Sequence, residues 1–245
     1  MYLKEFDLDL HYRPDPNVFA KIMAQHQCEY HEATKLDYQE NWKNKRRAFR
    51  LQTRCITSMF ERLLGSSTVK TKRFWKLLVQ SGSDESGTGG VKIVGDTAEV
   101  DVVFSLGDFF VLSDLDKKRR ALDLLMEGIE KAAAAEDWDL EPFRRVYELI
   151  RDSNYKNEWI WRKSGNRAKT YNAEILCNHG VDEIDIFLLV ANSAGDVISK
   201  QLIVSELPDE FAYARHLGKL EWRSNTEVVL VNKSGDAIGT VCLWD

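Results

Sequence analysis

The chain has 245 residues, 44% hydrophobic and 30% charged, an ordinary globular composition with enough material for a substantial core. Its 39 acids outweigh 34 bases for a net charge of −5, which argues against wholesale nucleic-acid binding while leaving room for a local basic face. The longest unbroken apolar run, Ile186 to Ala191, falls far short of the ~18–20 residues of a membrane span, and the N-terminal stretch carries no apolar signal core.

Residues 2–10 alternate apolar and charged side chains and predict a strand, which "RPDPN" ends. Pro16 suits the first turn of a helix through "NVFAKIMAQHQCEYHEA", and a second helix is expected from Tyr38 to Leu64, stopped at Gly65. Between Thr68 and Gln80 the period falls to two, with Val69, Thr71, Trp75, Leu77 and Val79 on one face. The glycine-rich "SGSDESGTGG" reads as a flexible hairpin loop. Its end lacks the Gly-Lys-Ser/Thr of a P-loop, and Lys92 stands where a dinucleotide fingerprint needs its third glycine. Strands are expected at Val91–Val94 and Glu99–Phe104.

Ser113 is a good cap for a helix bearing Leu122, Leu125, Met126 and Ile129 on one stripe. Another helix, with Pro142 in its first turn, repeats Phe143, Val146, Tyr147 and Ile150 at helical spacing. From Trp159 onward nearly everything predicts strand, interrupted by one short helix, "PDEFAYARHLG", with Gly218 as its stop. Within this run "NSAGDVI" at 192–198 returns as "NKSGDAI" at 232–238, and both copies read as one turn type in two hairpins of a single sheet.

Hairpin-type connections make this an α+β fold: helix pairs packed on a largely antiparallel sheet, with a C-terminal antiparallel meander. A single domain spans 1–245, the alternative being a division near 112/113.

Chemistry-bearing patterns are sparse. His26, Cys28 and His31 lie on one predicted helix, but five residues is about 140° of rotation from the first His to the second, and their side chains diverge. Cys177 and His179 share one face of a strand with no evident third member of a catalytic set. The four cysteines, Cys28, Cys55, Cys177 and Cys242, form no C-x-x-C pair and read as reduced thiols of a cytoplasmic protein. No catalytic residue, metal ligand or cofactor is predicted.

Charge is the clearest signal. From Lys35 to Lys76 there are twelve bases and three acids, a local net of +9. Lys43, Arg47, Arg50 and Arg54 fall within about 60° of one another on a helical wheel at ~100° per residue. Trp42, Phe49, Ile56, Phe60 and Leu63 lie opposite. Such a face is solvated, pairs with the protein's own acids, or binds phosphate or an acidic surface. Acids gather at Asp84 and Glu85, between the paired helices at Glu136–Glu141, and at Asp182, Glu183 and Asp185; such clusters are mostly solvated, and a protein that meets a basic partner carries them too.

The segment "DKKRRALDLLMEGIEKAAAAEDWDLEPFRRVYELI" (116–150) joins a basic helix start, an apolar stripe, Trp-Asp and Glu-Pro-Phe-x-x-x-Tyr. In this it resembles bacterial immunity proteins that neutralise polymorphic or contact-dependent toxins. The resemblance implies a non-catalytic cytoplasmic inhibitor that binds a cognate toxin domain, encoded nearby, in a tight stoichiometric complex, without membrane or cofactor. It transfers no contact residue. Two other readings stand beside it: a nucleic-acid or phosphate-binding module using the Lys43–Arg54 face, and an enzyme whose polar residues converge only in the fold.

Overall fold

A computed structural model of the chain describes residues 1–66, 68–82 and 90–243. It has two compact units, Met1–Tyr155 and Lys156–Asp245, so that residues 112/113 fall inside the first.

The first unit begins with β1 (Glu5–Leu10), then α1 (Pro16–His26), α2 (Tyr30–Asp37), one π-helical turn (Tyr38–Trp42) and α3 (Lys43–Leu64). Asp15 caps α1, accepting from the backbone N–H groups of Asn17 and Val18. The helix expected in one piece from residue 17 to 33 is two helices, because Gln27 adopts the left-handed conformation (φ 48°) that closes α1. β2 (Lys76–Gly82), β3 (Lys92–Val94) and β4 (Thr97–Val103) follow. Then come α4 (Asp114–Glu136), whose N-cap Ser113 accepts from the Asp116 N–H, and α5 (Glu141–Asp152).

Strand order in this unit is β1-β2-β4-β3, with β1 and β4 both parallel to β2 and only β3–β4 antiparallel. The sheet is therefore mixed. Three helices intervene between β1 and β2, and such a crossover returns the chain in the same direction. The glycine-rich connector does not join a hairpin either, since β2 pairs with β4 and not with β3. Its residues 83–89 lie outside the described part of the chain. The period-two pattern from Thr68 yields regular strand only from Lys76.

Pairing places Phe6, Leu77 and Ala98 in one cross-strand row and Leu8, Val79 and Val100 in the next, all buried. α3, α4 and α5 cover this face. Phe6 meets Phe60 of α3 edge-on at 5.3 Å and Phe143 of α5 at 6.4 Å. Gly128 brings α4 so close to β2 that a β-carbon there would stand 2.3 Å from a Val79 methyl. The other face of the sheet carries Glu5, Asp7 and Asp9 on β1, and Glu99 and Asp101 on β4.

Among the described residues of the second unit the only helix is α6 (Glu210–Tyr213), and the remaining elements are strands. β5 (Glu158–Gly165), β6 (Tyr171–His179), β7 (Ile184–Asn192) and β8 (Val197–Glu206) form one antiparallel sheet in chain order. β9 (Lys219–Trp222), β10 (Glu227–Val231) and β11 (Ala237–Cys242) form a three-stranded antiparallel meander, as expected. Alternate residues of the two sheets share one core: Ile175, Cys177, Ile186 and Leu188 from the first, Leu220, Val228, Leu230 and Val241 from the second.

The two similar turns have the same construction but belong to different sheets. One joins β7 to β8 and the other β10 to β11. In each copy the Asn side chain accepts from two backbone N–H groups at 2.9 Å, those of Ala194 and Asp196 or Ser234 and Asp236. The amide also donates to the Asp carboxylate at 3.0 Å, and the glycine supplies φ near 95°. A register shift accompanies both turns, the bulge that accommodates the extra residue.

Candidate functional site

The basic face of α3 is turned toward the acids of β1. Arg46 grips Asp9 with two parallel hydrogen bonds, Nε to Oδ1 at 2.7 Å and Nη2 to Oδ2 at 2.6 Å. Arg50 approaches the same carboxylate at 3.9 Å. Arg54 lies 3.6 Å from Asp7 and forks onto Glu61 with two contacts of 2.9 Å. Lys76 binds Asp7 from β2. The Asp9 hydrogen bonds hold the Arg46 guanidinium above even its usual high range. Glu61 also accepts from the Phe6 N–H at 2.8 Å, and Arg54 donates to the Phe6 carbonyl, so side chains of α3 occupy backbone groups on the open edge of β1.

Of the four predicted bases, Arg50 and Arg54 are thus drawn into internal pairing, while Lys43 and Arg47 are exposed. Arg46, absent from the predicted set, makes the strongest contact. A phosphate-bearing ligand would have to compete with Asp7, Asp9 and Glu61 for these guanidinium groups.

The π-helical turn builds an aromatic cluster beside that pair. The Tyr12 ring stands edge-on to Tyr38 at 5.6 Å and to Trp42 at 5.9 Å, and its hydroxyl donates to Asp37 at 2.7 Å. Burial first, and then the Asp37 hydrogen bond, push the Tyr12 phenol well above its ordinary value. Asn41 donates to the other Asp37 oxygen, and Arg46 to the Tyr38 hydroxyl at 3.0 Å. These bonds fix the start of α3.

Cys177 and His179 both face the second unit's interior. Burial pushes the Cys177 thiol up to about 12, and the His179 ring stands between Trp159 and Tyr213 with Nε2 3.3 Å from the Pro208 carbonyl oxygen. Cys55, fully buried in α3, is likewise pushed up to about 12. Both thiols are therefore neutral at pH 8 and poor nucleophiles. Iodoacetamide at pH 8 is expected to alkylate the exposed Cys242 to completion while Cys55 and Cys177 stay unmodified by mass spectrometry. Labelling of Cys177 in the folded protein at the Cys242 rate contradicts that assignment. Among the described residues no three His, Cys, Asp or Glu side chains gather as metal ligands, and no helix is long and apolar enough to cross a membrane.

A groove of about 450 Å³ runs between α4 and α5, lined by Asp123, Met126, Glu127, Glu130, Arg144, Tyr147 and Glu148. Tyr147 donates to Asp123 at 2.8 Å across the helix pair, and burial followed by that bond pushes its phenol up to about 12. Four carboxylates thus face one guanidinium. Glu127 pairs with Lys131 at 3.0 Å and Glu148 with Arg151 at 3.1 Å, but both are exposed pairs within one helix and exchange partners at little cost.

No protein-family model matches the chain, and neither a curated protein nor a solved structure is significantly similar to it.

Of the remaining predicted site residues, Asp84 and Glu85 lie outside the described residues. Asp182 and Glu183 are exposed in the turn between β6 and β7, and Asp185 receives the Ser205 hydroxyl. β7–β8 pairing sets Ile184 opposite Glu206, which puts this acidic turn at the same end of the sheet as α6. The groove residues Asp123, Glu127, Glu130 and Glu148 are absent from the predicted set. Their signal was the polar side of two amphipathic helices, and only the register between those helices brings them together.

Proposed function

We propose that this chain is a non-catalytic cytoplasmic binding protein of the immunity type, neutralising a cognate bacterial toxin domain in a tight stoichiometric complex. The supporting observation is the acidic groove between α4 and α5, which falls in the same 116–150 segment that resembles immunity proteins. Its carboxylates attract a basic protein surface and accelerate encounter, while the half-buried Tyr147 offers contact area. A groove of this charge would cover a basic substrate surface on the toxin domain.

Co-expression with the product of the adjacent reading frame tests the proposal. Wild-type chain is expected to restore growth and to co-purify with that product. Reversal of two exposed groove acids, Glu130→Lys with Glu148→Lys, is expected to weaken the complex about tenfold or more, chiefly through association rate. Neither protection nor a complex with wild-type chain overturns the reading.

A further inference from the structure

We infer that the α6 end of the second unit is a protein-contact surface, with Phe211 as an anchor that enters an apolar pocket in a basic patch of the partner. This rests on the reading that the chain works by binding a protein. Phe211 is 98% exposed, so its ring makes almost no contact within the chain, and Leu207 beside it is 42% exposed. Scattered surface leucines are ordinary, but a whole phenyl ring held in water has no folding rationale.

The backbone that carries the ring is held in place. Tyr213, two residues on and about 200° around the helix, is buried and packs on His179 at 5.9 Å. Asp209 caps α6 by accepting from the Phe211 N–H at 2.8 Å. Arg215 donates to Glu206 at 2.7 Å, and His179 reaches the Pro208 carbonyl. With its backbone already ordered, a phenyl ring has only two side-chain torsions left to fix on binding, which suits an interface anchor.

Charge selects the partner. Arg215 and Glu206 neutralise each other, which leaves Asp182 and Glu183 on the turn at this end of the sheet, with Asp209 and Glu210 flanking Phe211 in sequence, as an acidic excess. That balance favours a basic protein surface and repels the anionic lipid to which an exposed ring might otherwise attach.

The test is titration of the full chain with the purified product of the adjacent reading frame. Phe211→Ala is expected to weaken the complex about 30-fold or more, mainly by faster dissociation. Its unfolding midpoint should equal that of wild type, because the ring has almost no internal contacts. Glu183→Lys is expected to slow association roughly threefold and flatten its salt dependence. A wild-type complex that Phe211→Ala leaves within twofold overturns the anchor while the immunity reading stands. No complex at all removes both. Sedimentation with phosphatidylcholine vesicles that Phe211→Ala abolishes, with protein affinity unchanged, assigns the ring to lipid and also overturns the inference.

Discussion

Arg46→Met is expected to lower the unfolding free energy by about 3 kcal/mol, among the largest single losses on the surface of the first unit. The Asp9 side chain is only 3% exposed, and Arg46 supplies both of its short ionic hydrogen bonds. Removing the guanidinium leaves a carboxylate in a place that water does not reach. Arg50 is 3.9 Å away and half exposed, so it offsets part of the loss without matching the bidentate geometry. The cost lies in the orphaned charge more than in the lost attraction, and a double-mutant cycle separates the two. Asp9→Leu combined with Arg46→Met is expected to lie within about 1 kcal/mol of wild type in urea unfolding. If Arg46→Met alone is neutral, the pair is an ornament of the fold and α3 is held to β1 by its apolar face only.

Gly218→Ala is expected to destabilise the second unit by about 3 kcal/mol, for a different reason. A β-carbon at this position would stand 2.4 Å from both the carbonyl carbon and oxygen of Asn232 and 2.6 Å from the Val231 oxygen. Those are backbone atoms at the foot of the second Asn-Gly-Asp turn, which cannot rotate away as a side chain can. The main chain must shift, and with it the contact in which the Lys233 N–H donates to the Arg215 carbonyl at 2.9 Å. Gly235→Ala is the instructive contrast. Nothing lies within 4 Å of its β-carbon, but its φ of 96° penalises any side chain, so a smaller loss of about 1–2 kcal/mol is expected. Equal unfolding midpoints for Gly218→Ala and wild type contradict the close approach.

These two sites show where sequence reading succeeds and where it stops. Strands from Trp159 onward are legible because each alternates with period two and ends in turn residues. Ser113 and Pro142 mark the starts of α4 and α5 for equally local reasons. Gly218 reads in sequence as a helix stop, but α6 already ends at Tyr213, and the need for glycine at 218 comes from a segment fourteen residues on in sequence. Arg46 lies one step around the wheel from the predicted stripe. Only the acids of β1, thirty-seven residues earlier than Arg46, decide which bases are drawn inward. The mixed sheet and its parallel pairs are invisible for the same reason, since no local pattern names a strand's partner. Phe211 is harder still: in "EFAYAR" it is the more apolar of the two aromatics, yet α6 buries Tyr213 and exposes Phe211.

The central claim is that this chain acts by holding a protein partner. The most direct measurement is isothermal titration of the purified chain with the product of the adjacent reading frame. The account predicts one-to-one binding with a dissociation constant on the order of 1 nM or tighter, and loss of the partner's toxicity at equivalence. Absence of binding heat across temperatures, with toxicity unchanged by excess chain, contradicts it.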